Sequence, residues 1–267
     1  MSESFLTVVI LTLNEERDLP RCLNAIPSQY PIVVVDSGST DSTIAIATKH
    51  GCSVYHNDWP GHAEQRNFAL EKCGILTSWM LFVDADETFP VSFYDWFEKE
   101  IANSTTLDIV MVPSFLIFRG QQLKYAPGYP VYHARLLRMK TVRFSSNHTG
   151  GFGGENIAEN CRMINADIPY NHYFYNGDLI GWMHKHVNYA ATEIQSAPSG
   201  TLIITRRKRL SLLFGHSILR IPARFFYHYL FCRGFLDGKA GLEYSLMYAW
   251  YEATKYVLGY AVKKTNL

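Results

Sequence analysis

Three carboxylates close the apolar run in Met80-Leu81-Phe82-Val83-Asp84-Ala85-Asp86-Glu87. A short, bounded apolar run reads as a strand buried on both faces. Its interior could not hold Asp84, Asp86 and Glu87 unpaired, so they mark its end. Side chains alternate along a strand, which puts Asp84 and Asp86 on one face. Two hard oxygen donors there can meet a divalent cation, and Mg²⁺ or Mn²⁺ with a bound phosphate suits such a site. A polar strand end opening a turn accounts for the same residues, and on this stretch alone both readings stand.

The elements before that stretch supply company for it. Phe5 to Leu13 is a continuous apolar run ending in Thr12-Leu13-Asn14-Glu15-Glu16, and Leu19, Leu23 and Ile26 follow at helical spacing. Ile32 to Val35 reads as a second strand, ending in Asp36-Ser37-Gly38-Ser39-Thr40-Asp41, with a helix after it stopped by Gly51. A third strand over Ser53–Asn57 and a helix over His62–Lys72 precede the opening stretch. This alternation predicts an α/β chain with a parallel sheet. Ligands of such sheets sit outside the carboxyl ends of the strands. Asn14/Glu15, Asp36 and Asp84/Asp86 would all stand on that edge, and Arg66 on the third helix could add a cation. There is no G-x-G-x-x-G turn and no Walker loop, so a metal ion is the natural counter-charge for a phosphate.

Val9-Ile10-Leu11-Thr12-Leu13-Asn14-Glu15-Glu16, Val34-Val35-Asp36-Ser37-Gly38-Ser39-Thr40-Asp41, Gln65-Arg66-Asn67 and Val83-Asp84-Ala85-Asp86 resemble, in order and spacing, the family-2 glycosyltransferases of the GT-A fold. The resemblance implies a Rossmann-like, mostly parallel mixed sheet flanked by helices, a nucleotide-sugar donor (a UDP-sugar by family habit) and an inverting transfer. It further implies that Thr12, Asn14 and Glu15 line the nucleoside pocket with Asp36 on the base. Asp84 would face the ribose, Arg66 would assist on the nucleotide, and Asp86 would hold the Mn²⁺ or Mg²⁺ that bridges the diphosphate.

A general base must come from further on. Ser92–Ile101 reads as an amphipathic helix, and Asp108–Phe118 and His133–Met139 flank a hairpin at Arg119-Gly120-Gln121. Tyr125-Ala126-Pro127-Gly128-Tyr129-Pro130 is an aromatic loop suited to sugar stacking. Four glycines then lie between His148 and Glu155. An inverting transfer needs one base near the acceptor hydroxyl. Glu155 is the preferred candidate, with Glu159 and His148 as alternatives. His184 and His186, two apart on a helix over 178–195, diverge and cannot chelate one metal. Asn171-His172-Tyr173, the Trp182–Glu193 stretch and Gly234–Gly241 resemble the branch of the family that builds lipopolysaccharide core, capsule and exopolysaccharide.

Ala197-Pro198-Ser199-Gly200 marks a boundary, giving a catalytic domain over 1–200 (nucleotide half about 1–105, acceptor half about 106–200) and a helical extension over 201–267. The extension opens with Arg206-Arg207-Lys208-Arg209. His216, Arg220, Arg224 and His228 then form a polar stripe beside a wide aromatic-aliphatic face. Such a helix can lie in a membrane interface with its cations, Arg220 and Arg224 among them, on anionic lipid. Placement at the cytoplasmic face of a bacterial inner membrane, with a lipid-linked glycan as acceptor, follows from that reading.

The 267 residues carry a net charge of +1 and are 48% hydrophobic, which gives no global signal for nucleic acid and is too apolar for disorder. Five scattered cysteines show neither zinc nor redox spacing and are expected to be reduced thiols. The N-terminal apolar run reads as a first strand, not a signal peptide. Two rival readings remain: a sugar nucleotidyltransferase, which should carry a glycine-rich phosphate loop after its first strand, and a non-catalytic membrane-surface protein that keeps the fold.

Overall fold

The computed structural model describes residues 5–139, 142–144, 161–175, 177–195 and 217–265. They fall into two compact units, one built from residues 1–115, 130–147 and 151–173, the other from 116–129, 148–150 and 174–267.

The first unit is the strand–helix alternation expected from the sequence. β1 (Leu6–Thr12), β2 (Ile32–Asp36), β3 (Ser53–His56) and β4 (Trp79–Asp84) are joined through α1 (Leu19–Asn24), α2 (Thr43–Lys49) and α3 (His62–Lys72). β1 lies between β2 and β4, all parallel, with Thr12 opposite Asp36 and Leu11 opposite Asp84. Registry therefore brings the polar ends of three strands to one edge. Alternation buries Val8, Ile10, Leu81 and Val83 on one face and Val9, Val33, Met80 and Phe82 on the other. Both faces being covered explains why the strands read as unbroken apolar runs.

After β4 the sheet becomes mixed. Ala85-Asp86 is a turn into the short β5 (Glu87–Thr88), followed by α4 (Val91–Trp96), which continues as a π-helical turn to Ile101. β6 (Ile109–Phe118) and β8 (Val131–Arg138) run antiparallel, and β8 joins β4 antiparallel. The three-residue β9 (Met163–Asn165) pairs with β6, while β10 (Tyr170–Tyr175) pairs with β5. The order is β3-β2-β1-β4-β8-β6-β10-β5. Because β4 stops at Asp84, strand alternation does not relate Asp84 to Asp86: Asp86 sits on the turn.

In the second unit, Arg119 and Gly120 take φ of 51° and 75° and turn β6 back into β7 (Gln121–Leu123). The hairpin expected at Arg119-Gly120-Gln121 thus closes on a short strand, and β8 pairs with the earlier part of β6. The helices of this unit are α5 (Leu179–Gln195), α6 (Arg220–Phe226, continued as a π-helical turn to Phe231), a 3₁₀ turn (Gly234–Asp237) and α7 (Gly238–Thr265). α5 groups with these C-terminal helices, so the compact units divide elsewhere than at residue 200. The Asp237 carboxylate accepts the backbone N–H groups of Lys124, Tyr125 and Ala126 at 2.8–2.9 Å and so fixes the aromatic loop. A Cβ at Gly241 would stand 1.9 Å from the Gly234 carbonyl oxygen, so no larger residue fits this crossing.

The polar stripe of α6 faces the interior of this unit. Arg220 and Arg224 contact the buried Glu252 of α7 at 3.2 and 2.8 Å, and His228 Nδ1 lies 2.7 Å from the Ala126 carbonyl. The two arginines expected on lipid are instead the counter-charge of a carboxylate that burial would otherwise push up; Lys255, Arg224 and Arg220 hold it low. His186 stacks on Trp182 with ring centroids 3.6 Å apart, in keeping with packing rather than chelation. None of the five cysteines is in a disulfide. Among the described residues no helix is long and apolar enough to cross a membrane. Ala197–Gly200 and Arg206, Arg207, Lys208 and Arg209 lie outside the described residues.

Candidate functional site

The ends of β1 and β2 are joined residue by residue. Asp36 is fully buried, and its Oδ1 accepts the N–H groups of Gly38 and Ser39 at 2.9 and 2.7 Å. Its Oδ2 accepts the hydroxyls of Thr12, at 2.8 Å, and Ser39. Burial alone would raise this carboxyl, but the four donors hold it below its ordinary value. Asn14, at φ 57°, accepts the Thr40 N–H on Oδ1 at 2.8 Å and donates its own N–H to Ser39 Oγ at 2.8 Å. The Glu15 N–H reaches Thr43 Oγ1 at 2.8 Å, and Glu16 exchanges bonds with Asp41 and Ser42. Thr12, Asn14, Glu15 and Asp36 are thus brought together, with the Asp36 oxygens turned into the loop they shape.

α3 braces this edge from beneath. The buried Gln65 accepts from Asn57 Nδ2 at 2.6 Å and donates to Ser37 Oγ at 2.9 Å. Asn67 clasps Phe144 at both backbone groups, donating to its carbonyl at 2.8 Å and accepting its N–H at 3.0 Å. Arg66 is buried, not an exposed helix arginine, with its guanidinium carbon 5.7 Å from the Phe82 ring centroid and 5.3 Å from that of Phe144. Its charge is among those acting on Asp84.

At the end of β4 the carboxylates part company. The buried Arg135 of β8 bridges Asp84 at 2.7 Å and Glu87 at 2.5 Å through one terminal nitrogen, and its Nε lies 3.3 Å from the Tyr170 hydroxyl. Burial would raise Asp84, but Arg135 first, then Arg66, holds it well below the usual carboxylate range. Glu87 has no exposed surface, and burial outweighs Arg135 to push its carboxyl up to about 7. Asp86 keeps a quarter of its side chain exposed and faces His172 Nε2 of β10 at 3.4 Å. Burial would lower the His172 imidazole; Asp86 above all, then Glu87 and Asp84, carry it up to about 9. The Tyr173 N–H donates to the Asp86 carbonyl at 2.8 Å, which pins the turn to β10.

Arg135, Tyr170 and His172 are the partners that sequence reasoning missed. Arg135 carried one usable signal: a lone cation within the apolar stretch Ala134–Leu137 must find a buried anion. Glu155, Glu159 and His148 lie outside the described residues.

Among the described residues, no group of three His, Cys, Asp or Glu side chains could hold a metal ion by itself. What the end of β4 offers is two partly exposed carboxylates, Asp84, which is held by Arg135, and Asp86, which has the His172 ring beside it. The Asp86 carboxylate fits Mg²⁺ or Mn²⁺ of the kind that keeps water and takes most of its oxygens from substrate phosphates, with His172 as its hydrogen-bonding neighbour and not a ligand.

Residues 7–159 match the family described as Glycosyl transferase family 2. An uncharacterized glycosyltransferase of Rickettsia conorii is 36% identical over 99 residues, which span 37% of this chain and 34% of that protein. The lipopolysaccharide core biosynthesis glycosyltransferase LpsC of Rhizobium meliloti is 39% identical over 87 residues, 31% of this chain and 32% of its own. The chain spans about a third of the length of these curated relatives. The mannosyltransferase PcManGT of Pyrobaculum calidifontis, solved with GDP-Man and Mn²⁺, superposes with a TM-score of 0.54 at 16% identity, covering 96% of this chain and 86% of that one. That likeness bears on the fold, a GT-A-like mixed sheet flanked by helices.

Proposed function

Because the chain belongs to glycosyl transferase family 2, we propose that it moves a sugar, with inversion, from a UDP-sugar to a growing bacterial surface glycan. The acceptor is a lipid-linked lipopolysaccharide, capsule or exopolysaccharide chain at the cytoplasmic face of the inner membrane. The observation that carries the reading is the convergence of Thr12, Asn14, Glu15 and Asp36 with Asp84 and Asp86 at one edge of three parallel strands. The family match and the absence of a glycine-rich phosphate loop after β1 weigh against a sugar nucleotidyltransferase. The name of the Rhizobium relative supports the surface-glycan class of acceptor.

Thr12, Asn14, Glu15 and the Asp36-ordered loop form the nucleoside pocket, Asp84 serves the ribose side, and Arg66 assists through its charge. Asp86, with His172 beside it, holds Mn²⁺ or Mg²⁺, which when bound supplies counter-charge to the departing diphosphate. Arg135 positions Asp84 and the β5 side of the turn. Glu155, with Glu159 and His148 as alternatives, takes the proton of the acceptor hydroxyl. That oxygen then bonds to the anomeric carbon as the bond to the diphosphate breaks.

The test is a panel of UDP-, GDP- and dTDP-sugars with purified protein, reading release of the nucleoside diphosphate. The reading requires release from a UDP-sugar that stops on chelation and returns with Mn²⁺. No metal-dependent release from any donor would overturn it. For the base, Glu155→Gln should keep donor binding and lose transfer, and undiminished transfer would assign the role elsewhere.

A further inference from the structure

Among the described residues, the face of α6 opposite its inward stripe is left uncovered. Arg220, Arg224 and His228 recur every four residues. Pro222, Phe226 and Leu230 are each two positions further on, about 200° around the helix. Turning one set onto Glu252 and the Ala126 carbonyl therefore turns the other outward. Ile218, Leu219, Phe226, Leu230, Phe231, Phe235 and Leu236 are all between 46% and 79% exposed, Phe231 most of all. Seven exposed large apolar side chains are concentrated within nineteen residues, and a concentration of this kind marks a place of interaction.

Charge identifies the partner. From residue 217 to 242 the only carboxylate is Asp237, which is buried against three backbone N–H groups. Arg233 is exposed, and so is Lys239, whose Nζ stands 3.8 Å from Glu243. An isologous contact with a second copy would set this cationic surface against itself. Exposed apolar side chains with cations and no exposed carboxylate from residue 217 to 242 suit the boundary between acyl chains and anionic headgroups. We infer that the outward face of α6 and the following 3₁₀ turn rests in an anionic lipid leaflet, with Phe226, Leu230, Phe231, Phe235 and Leu236 entering the acyl boundary. Arg220 and Arg224 act as internal struts. This deepens the proposed membrane-side acceptor and rests on that reading.

The experiment is flotation of the full chain with vesicles of three parts phosphatidylethanolamine to one part phosphatidylglycerol, comparing wild type with the triple variant F226S/L230S/F231S. Both proteins retain the Arg206–Arg209 cluster. The variant should partition at least about tenfold more weakly, as loss of three buried apolar side chains requires. Its circular dichroism and its Mn²⁺-dependent release of nucleoside diphosphate without vesicles should stay unchanged. Failure of the wild type to float, or equal flotation of the variant, would overturn the inference. So would sedimentation without vesicles showing a wild-type dimer that the variant dissociates, which would give the face to a second copy. Loss of nucleotide release in both proteins would instead strike the proposed function, so the two failures are separable.

Discussion

Replacing Arg135 with Met should destabilise the sheet unit, and more so at high pH than at low. Arg135 is the cation shared by Asp84 and the fully buried Glu87. Removing one partner of a buried pair leaves an uncompensated charge, at a cost of about 3–5 kcal/mol. Glu87 can escape by taking a proton. In the wild type its carboxyl is already raised to about 7, against an ordinary value of 4.5, and without Arg135 it rises further. A folded-state pKa above the unfolded one means that stability is lost as pH rises between them. From pH 6 to pH 8 the unfolded chain gains about 2.7 kcal/mol by ionising Glu87, at about 1.36 kcal/mol per pH unit. The wild-type fold recovers about half of that by ionising above pH 7, and the variant recovers almost none. The destabilisation caused by R135M should therefore grow by about 1.4 kcal/mol across this window, while Asp84 stays ionised throughout and adds a constant. Urea unfolding of both proteins at pH 6 and 8 in chelator measures it. A cost below about 1 kcal/mol at both pH values, or one that shrinks from pH 6 to 8, would refute the pairing.

Two further perturbations address the loops and the helical unit. Thr12→Val removes one of four donors from the buried Asp36 carboxylate and should cost about 1.5–3 kcal/mol at pH 7. Since Asp36 is depressed below its ordinary 3.8, its contribution is present above that pH and is lost as pH falls further. The cost of T12V should therefore shrink at pH 3, and equal melting shifts at pH 7 and pH 3 would contradict it. His186 is carried down from 6.5 to about 4, by burial first and by Lys185 second, against the opposing hydrogen bond to the Trp182 carbonyl. The unfolded chain then takes up a proton that the fold refuses, so stability should drop as pH falls from 6.5 to 4. The drop is about 1–2 kcal/mol once partial exposure is discounted. His186→Phe keeps a ring on Trp182 and should flatten that dependence; an unchanged slope would assign it to other groups.

Much of the site could be read in the sequence because its information is local. Unbroken apolar runs ending in Thr12-Leu13-Asn14, Asp36-Ser37-Gly38 and Asp84-Ala85-Asp86 fix both the parallel sheet and the edge that carries the polar residues. α3 spans His62–Lys72, as its pattern requires. Long-range charge pairing was not legible. Arg135 meets Asp84 and Glu87 across 51 and 48 residues of chain, and His172 meets Asp86 only because β10 pairs with β5. Strand alternation misplaced Asp86 because a turn begins at Ala85, before the strand reaches Asp86. The α6 stripe shows a subtler failure. Periodicity divides a helix into two faces but does not say which one is buried, and the buried Glu252 of a later helix decided it.

The central claim is that Asp86 holds a divalent cation against the diphosphate of a nucleotide-sugar donor. Asp86→Ala tests it most directly, with Mn²⁺-dependent donor binding by calorimetry and nucleoside diphosphate release measured side by side. Loss of several kcal/mol of charge stabilisation predicts release slower by on the order of a hundredfold or more, and binding that no longer responds to Mn²⁺. Wild-type release with the same Mn²⁺ dependence would contradict the account.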